Sequence, residues 1–582
     1  MTHRDDSSFS IAIVGSGGAG VMTVGNLLLK AVTGTGLYAL MTRSFGPQIR
    51  GGEAGALLRF SSRPVECAGD SYDILIGVDW KNAERFAGEI PLRPDSLIIG
   101  DPDAGPVPEV FLDSGARELT IPLKEIAKKV RGSQPNMVAL GALTALMGLS
   151  TTRLTEVLDS SFRKKGEALL QASHAAAGLG AEYAAGLDVH LALPAPVESH
   201  QPRWAISGNQ AAALGAIRGG VRFAAAYPIT PATEVLEWLA PALPKVGGSL
   251  VQAEDELASI NMIIGASFGG TPSVTATSGP GLSLMSEALG LAIASETPIV
   301  VIDVQRGGPS TGIPTKSEQS DLNIALYGMH GDAPHIVVAP TSITDCVFTT
   351  QWAVYLAESL QTAAIVLSDQ AIGQARVVTD RPAELAFLGR RQRVERIEEG
   401  NTYKRYALTA DGVSPAAIPG TPGGQHTADG LEHTETGTPS AGAADHARQM
   451  DKRLNKLTQF NYGEHWAAIE GDTEAELAVI TWGSITGPVR EAIQRARADG
   501  IRVRLIAPRL LFPVQQERMD KALAGVKHIL VVEQTHSGQF TRYLKAEYDL
   551  PCRVEAFHRP GPITIRPGEV HELLINWSKS HA

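Results

Sequence analysis

Short apolar runs recur along the chain, each closed by a turn rich in glycine, serine or threonine and followed by helical periodicity. In the first segment, about 8–190, strands are expected at 11–14, 37–41, 54–60 and 74–78. Helices are expected at 21–32, 123–130, 137–147 and 152–159, and a long one at 162–185. A proline-rich stretch at 193–202 marks a boundary. The second segment, about 203–395, has helices at 208–218 and 232–240. Its strands fall at 222–226, 249–252, 273–277, 299–304, 336–338 and 364–367. This alternation predicts a doubly wound parallel sheet. Residues 396–464 break the pattern: 421–437 is dense in turn formers and has little to bury, as in a linker or an irregular surface excursion. The third segment, 465–582, returns to α/β, with strands at 477–481, 502–506 and 529–533 and helices at 488–498 and 539–548.

Composition narrows the class. A chain of 582 residues exceeds one core, and 43% hydrophobic against 19% charged residues is globular. The 60 glycines suit many tight strand-to-helix turns. A net charge of −11 argues against a nucleic-acid or anionic-membrane partner. Cys67, Cys346 and Cys552 form no Cys-x-x-Cys, so no metal site and no iron–sulfur cluster held by this chain alone is expected. Scattered cysteines, no visible signal peptide and a longest apolar run (137–149) too short for a bilayer together predict a cytoplasmic protein.

Candidate chemistry sits at predicted strand ends. Gly15-Ser-Gly17-Gly18-Ala-Gly20 follows the first strand and opens a helix, as a phosphate-cradling turn does. NAD fits poorly, because the next strand ends in Met41-Thr42-Arg43-Ser44 and offers no carboxylate for a ribose diol. Another phosphate-bearing ligand, or structural use of the glycines, remains. Arg43 and Arg50 flank the following loop, where they grip an anion or simply bond to carbonyls and carboxylates.

In the second segment four loops converge on one sheet edge: Tyr227-Pro228-Ile229-Thr230-Pro231, Glu254-Asp255-Glu256, Thr277-Ser278-Gly279-Pro280-Gly281 and Gln305-Arg306-Gly307-Gly308-Pro309-Ser310. Strand C-termini of a parallel sheet line the ligand crevice. The three acids at 254–256 compete for a single role, or merely favour the helix dipole. His426 and His433 show no ligand spacing, and the loops at 482–484 and 533–538 read as caps and turns.

The motifs at 227–231 and 305–315, with the order of segments, make the chain similar to the α subunit of 2-oxoacid:ferredoxin oxidoreductases with an N-terminally fused γ domain, the 2-oxoglutarate type above all. The resemblance implies an α/β protein of three domains. They are a Rossmann-like γ domain (8–190), a thiamine-pyrimidine-type doubly wound domain (203–395) and a transketolase-C-terminal-like domain (465–582), with 396–464 connecting. It implies a thiamine diphosphate reaction in which a 2-oxoacid loses CO₂, coenzyme A takes the acyl group and electrons pass through an iron–sulfur cluster to ferredoxin. Glu256 would be the activating acid. Thr230 and Arg306 would bind substrate, with Ser310, Thr311 and Thr315 forming the distal pocket. Tyr227, Pro228, Ile229 and Gly279 would contact the thiamine, and Gly15, Gly17, Gly18, Gly20, Arg43 and Arg50 would contact coenzyme A.

The thiamine diphosphate pattern, Gly-Asp-Gly followed by Asn-Asn, is missing, as are cluster cysteines. The diphosphate, its Mg²⁺ and a 4Fe-4S cluster are therefore expected in a separate β subunit, with a dimer of αβ pairs as the assembly. Pyruvate or broad-range 2-oxoacid specificity, a non-catalytic assembly partner and a nucleotide-dependent dehydrogenase are the competing readings.

Overall fold

A computed structural model describes residues 7–46, 52–189, 191, 193–197 and 203–581. Two compact units emerge. The first comprises 1–207, 374–382 and 563–572, and the second 208–373, 383–562 and 573–582.

The first unit is built on an eight-stranded sheet. Ser8–Ser16 pairs in parallel with Tyr72–Gly77, which continues in parallel through Leu92–Gly100 to Arg117–Thr120. On its other side Ser8–Ser16 pairs antiparallel with Glu53–Ser61, and Glu53–Ser61 in turn with Tyr38–Phe45. An antiparallel strand thus lies where an all-parallel nucleotide fold would put the return of its first crossover. The sheet is covered on both faces, so its strands read as continuous apolar runs. Ile11 and Ile13 join Val24, Leu28, Leu140 and Leu143 in one core. Ala12 and Val14 join Leu75, Trp80 and Phe86 in another.

Two strands that the sequence assigned to the second segment belong to this sheet. Arg376–Thr379 pairs antiparallel with both Tyr38–Phe45 and Trp204–Ser207. The expected continuous helix over 162–185 is also corrected. Thr151–Phe162 ends in a short 3₁₀ turn and Glu167–Ala185 starts anew, because Gly166 sits at φ 114, outside helical geometry.

The second unit holds two sheets. In the larger, Ser249–Gln252, Phe223–Ala226, Ser273–Thr277, Ile299–Gln305, Ala363–Asp369 and Ile336–Val338 run parallel in that spatial order. Leu510–Phe512, from the third segment, closes its edge antiparallel to Ile336–Val338. The smaller sheet has the order Ala467–Gly471, Val503–Pro508, Leu477–Thr481, His528–Glu533, Arg553–His558.

The connecting stretch is irregular but packed. It buries Tyr403, Tyr406 and His433, and it contains the helix Ala443–Thr458, which the sequence analysis did not find. His433 and His426 each bond a carbonyl two residues away, Leu431 and Gly424 respectively. The helix is pinned through Glu296, which is fully buried against Lys452 and Lys456; the Lys456 Nζ lies 3.2 Å from a Glu296 carboxylate oxygen and donates to Gln361 O at 2.8 Å. Burial opposes ionisation of Glu296, yet Lys456, then Lys452 and Arg405, outweigh it and hold the carboxyl far below its usual range. Burial, against the pull of Glu296, takes the Lys456 ammonium down to about 8.

Removing the acid would strand two buried ammonium groups. Glu296→Gln is therefore expected to destabilise the chain by about 3–5 kcal/mol, seen as a lower thermal unfolding midpoint. Because the folded carboxyl is depressed, its contribution is present above the unfolded carboxylate range and disappears only in strong acid. An unchanged midpoint at neutral pH contradicts this.

Candidate functional site

Four parallel strands deliver their C-terminal ends to one edge of the larger sheet, and each is followed by a loop from the sequence analysis. Asp255 caps the helix Glu256–Phe268 through Ala258 N–H at 2.7 Å. Glu254 and Asp255 are exposed, whereas Glu256 is buried. The three rival acids are thereby sorted by environment. Asp255 is a cap and Glu254 faces solvent, while Glu256 turns inward. Among the described residues no hydrogen bond or ion pair reaches the Glu256 carboxylate.

Opposite it begins the helix Gly279–Ala294. A Cβ at Gly281 would overlap Thr277 Oγ1 and lie 2.8 Å from Glu256 Cγ and 2.9 Å from its Oε1, so both side chains approach this helix start because residue 281 is glycine. The Ser278 hydroxyl, buried beside it, also has no partner. A buried acid and an unpaired hydroxyl at a helix N-terminus suit a polar, flat nitrogen heterocycle. An aminopyrimidine fits that donor set.

Arg306 follows the strand Ile299–Gln305 and is buried. It donates from Nη1 to Thr230 O at 2.6 Å and from Nη2 to Thr311 O at 2.7 Å. One guanidinium thus fastens the 227–231 turn to the 306–316 loop. Burial lowers its proton affinity, and the charge of Asp321 opposes that effect. Its Nε has no partner, so the group still has donors for an anion. Of the expected pocket, Ser310 and Thr311 are exposed, Ser310 in the left-handed region at φ 59, and Thr315 is buried. Tyr227 is exposed, while Pro228 and Ile229 are half-buried; Ile229 O accepts the Ala232 and Thr233 amides that start the next helix.

The smaller sheet's loops close on the segment after this one. Gln319 donates to Trp482 O at 2.8 Å, exchanges two bonds with the Gln534 backbone, and Gln539 donates to Ser320 O at 2.9 Å. Within these loops Glu533 accepts the Phe540 and Thr541 amides, so capping is its work.

In the first unit, the glycine turn joins Ser8–Ser16 to the helix Val21–Val32. Gly17 N–H is taken by Gly52 O, and Asp79 accepts the Ser16 amide and hydroxyl. Gly18 and Gly20 have φ of 100 and 85; a Cβ at Gly18 would meet open space, one at Gly20 the Asn136 side chain. A Cβ at Gly15 would lie 3.0 Å from Val21 Cγ2. The helix N-terminus has neither a side-chain cap nor an acid in its first turn. Arg43 donates to Gln374 O at 2.9 Å. Arg50 lies outside the described residues.

Sequence reasoning missed a carboxyl pair. Asp303, inside the apolar strand Ile299–Gln305, is fully buried, and Asp321, before the helix Leu322–Tyr327, is half-buried with its Oδ2 out of solvent, both beside this site. An isolated acid within Ile299–Gln305 was the available signal.

With this geometry in hand, the chain can be compared with known proteins. Three family models match it in succession: pyruvate ferredoxin/flavodoxin oxidoreductase at 10–183, the thiamine diphosphate-binding model of pyruvate flavodoxin/ferredoxin oxidoreductase at 214–452, and core domain II of pyruvate:ferredoxin oxidoreductase at 475–570. The α subunit of the 2-oxoacid:ferredoxin oxidoreductase of Saccharolobus solfataricus is 32% identical over 595 residues, with 92% of each chain covered. The chain belongs to the 2-oxoacid:ferredoxin oxidoreductase α-subunit family, in its form with a fused γ-like region. The 2-oxoglutarate oxidoreductase subunit KorA of Mycobacterium tuberculosis is 31% identical, with 92% of this chain and 87% of that one covered. The solved 2-oxoglutarate:ferredoxin oxidoreductase of Magnetococcus marinus superposes with a TM-score of 0.88 at 39% identity, covering 98% of this chain and 99% of that one.

In this family setting two substitutions probe the site. Glu256→Gln keeps the volume and removes the charge, and is expected to cut turnover by two to four orders of magnitude, about the worth of a positioned acid–base group. Gly281→Ala is expected to lower turnover about a hundredfold by displacing Thr277 and the acid together. Full activity in Glu256→Gln removes Glu256 from the chemistry.

Proposed function

We propose that this chain is the fused γα subunit of a thiamine diphosphate-dependent enzyme that converts 2-oxoglutarate, coenzyme A and oxidised ferredoxin to succinyl-CoA, CO₂ and reduced ferredoxin. The observation that carries the reading is Glu256, a buried carboxylate without a partner, aimed over Gly281 at a helix start. When bound, thiamine diphosphate supplies the electron sink for decarboxylation. Glu256 would hold and move a proton at the ring nitrogen of its aminopyrimidine, and the Ser278 hydroxyl, buried without a partner, would bond the same ring. Arg306 orients the substrate carboxylate through its remaining donors, with Thr230 beside it. The 306–316 loop, carrying Ser310, Thr311 and Thr315, meets the distal end of the substrate.

A separate β subunit supplies the diphosphate site, Mg²⁺ and the 4Fe-4S cluster, and delivers electrons to ferredoxin. The lack of cluster cysteines and of Gly-Asp-Gly supports this division. So do exposed Tyr227, Leu257, Met262 and Leu284 on the very elements that carry the site, an apolar surface suited to a partner. A dimer of αβ pairs in the cytoplasm is the expected assembly; among the described residues no helix is long and apolar enough to cross a membrane. The uncapped helix after Gly15–Gly20 is the site proposed for coenzyme A phosphates. The bound ligands named for the Magnetococcus marinus enzyme, 2-oxoglutarate, coenzyme A and succinyl-CoA, support the choice of substrates.

The test is ferredoxin reduction by the co-expressed αβ pair with coenzyme A and a panel of 2-oxoacids. 2-Oxoglutarate is expected to give the highest kcat/KM; equal or better turnover of pyruvate selects the broad-range reading, and no turnover refutes catalysis. For the first unit, Gly18→Val is expected to raise KM for coenzyme A about tenfold, leaving KM for the 2-oxoacid unchanged. A rise in neither constant moves the coenzyme A site elsewhere.

A further inference from the structure

Asp303 and Asp321 take no part in the chemistry above, yet their placement is costly. Asp303 is fully buried in an apolar strand, and neither carboxyl oxygen meets a donor among the described residues apart from Asp321. The Asp321 carboxyl lies against the start of the next helix, where a Cβ on Gly279 would be 2.5 Å from its Oδ1 and the Gly279 amide favours its ionised form. Its Oδ2 has no other partner. Two carboxyls in contact, Asp303 wholly out of water and Asp321 with its Oδ2 buried, cannot both ionise. Among the described residues, a proton held between them is the one hydrogen placed to satisfy Asp303.

We propose that Asp303 and Asp321 share a proton and serve as positioning residues for Arg306, linking its charge to the helix start at Gly279 beside Glu256. The inference rests on the reading of Arg306 as the group that orients the substrate carboxylate.

The groups facing the pair come from several elements. The Ile299–Gln305 strand contributes Asp303 itself and the Gln305 side chain, whose Oε1 accepts the Asp321 amide at 3.1 Å. The Gly279 helix contributes its first N–H. Arg306 acts on Asp321 through its charge, and so, with opposite sign, does Glu318. Glu318 is itself pushed up by burial, while the Gly561 amide and His536 pull it down. Burial takes the Asp321 carboxyl up to about 7, against the Asp303 hydrogen bond and Arg306; Asp303 is pushed well above its usual range by burial and then by Asp321.

The sign follows. Below neutrality the pair is uncharged and the Arg306 charge is unopposed. As pH rises through about 7, one negative charge forms behind Arg306 and competes with the substrate carboxylate for it. KM for the 2-oxoacid should therefore rise by about tenfold between roughly pH 6 and 8.

Two measurements on the assembled enzyme test this. Infrared difference spectra of the wild type grown with isotope-labelled aspartate are expected to show a label-sensitive protonated-carboxyl band that persists to neutral pH and is absent in Asp303→Asn. If no such band persists, the shared proton is refuted, whether or not the variant folds. In Asp321→Asn, KM for the 2-oxoacid is expected to lose its dependence on pH while kcat keeps the shape of its wild-type profile. A KM profile parallel to that of the wild type overturns the coupling to Arg306. If the enzyme turns over no 2-oxoacid, the functional reading fails, and the infrared result alone decides the carboxyl pair.

Discussion

Glu256 is a buried side chain whose carboxylate meets no hydrogen-bond partner among the described residues. Taking such a group wholly out of water would cost several kcal/mol unless something met it, so its oxygens are left at an opening of the sheet edge. Here the surroundings keep it unmet by design of the backbone: Asp255 takes the capping duty, and Gly281 clears the space into which Glu256 points. Sheet topology brings these two helix starts to one edge, at the C-terminal ends of Ser249–Gln252 and Ser273–Thr277, two parallel strands with Phe223–Ala226 between them. An acid left unpaired at that opening is explicable as a site held ready for a ligand that completes it.

Around that acid the chain is tied loop to loop. Arg306 spans two loops through their carbonyls, so its guanidinium is already aimed before any anion arrives. The segment that follows is clamped by side-chain amides exchanging bonds with the loops of the smaller sheet. The anchoring of Arg306 and the packing of the smaller sheet's loops therefore share one hydrogen-bonded stretch from 305 to 323. The Glu296 cluster plays the corresponding part for the connecting stretch, whose irregular backbone would otherwise have little to hold it against the sheet.

Much of this was legible from sequence because period and turn chemistry agree with the fold. Alternating apolar runs and amphipathic stretches place the strands of the larger sheet, and the four motif loops fall at their ends. What stayed hidden depends on contacts distant in sequence. Nothing local says that Arg376–Thr379 pairs with Tyr38–Phe45, or that Leu510–Phe512 closes a sheet begun nearly three hundred residues earlier. The helix Ala443–Thr458 escaped notice because lysine and arginine dominate the face it buries, and their buried charges make sense only once Glu296 is seen opposite. Glu254, Asp255 and Glu256 are chemically equivalent in a sequence; burial separates them. Asp303 and Asp321 lie eighteen positions apart and become a pair only through the loop that folds back between them.

The central claim, that Glu256 activates a thiamine held jointly with a partner chain, is tested most directly by proton exchange at the thiazolium C2 of the assembled enzyme, followed by rapid quench in deuterated water. The account predicts fast exchange in the wild type, slowed by at least two orders of magnitude in Glu256→Gln at unchanged thiamine diphosphate occupancy. Equal exchange rates at equal occupancy would contradict it.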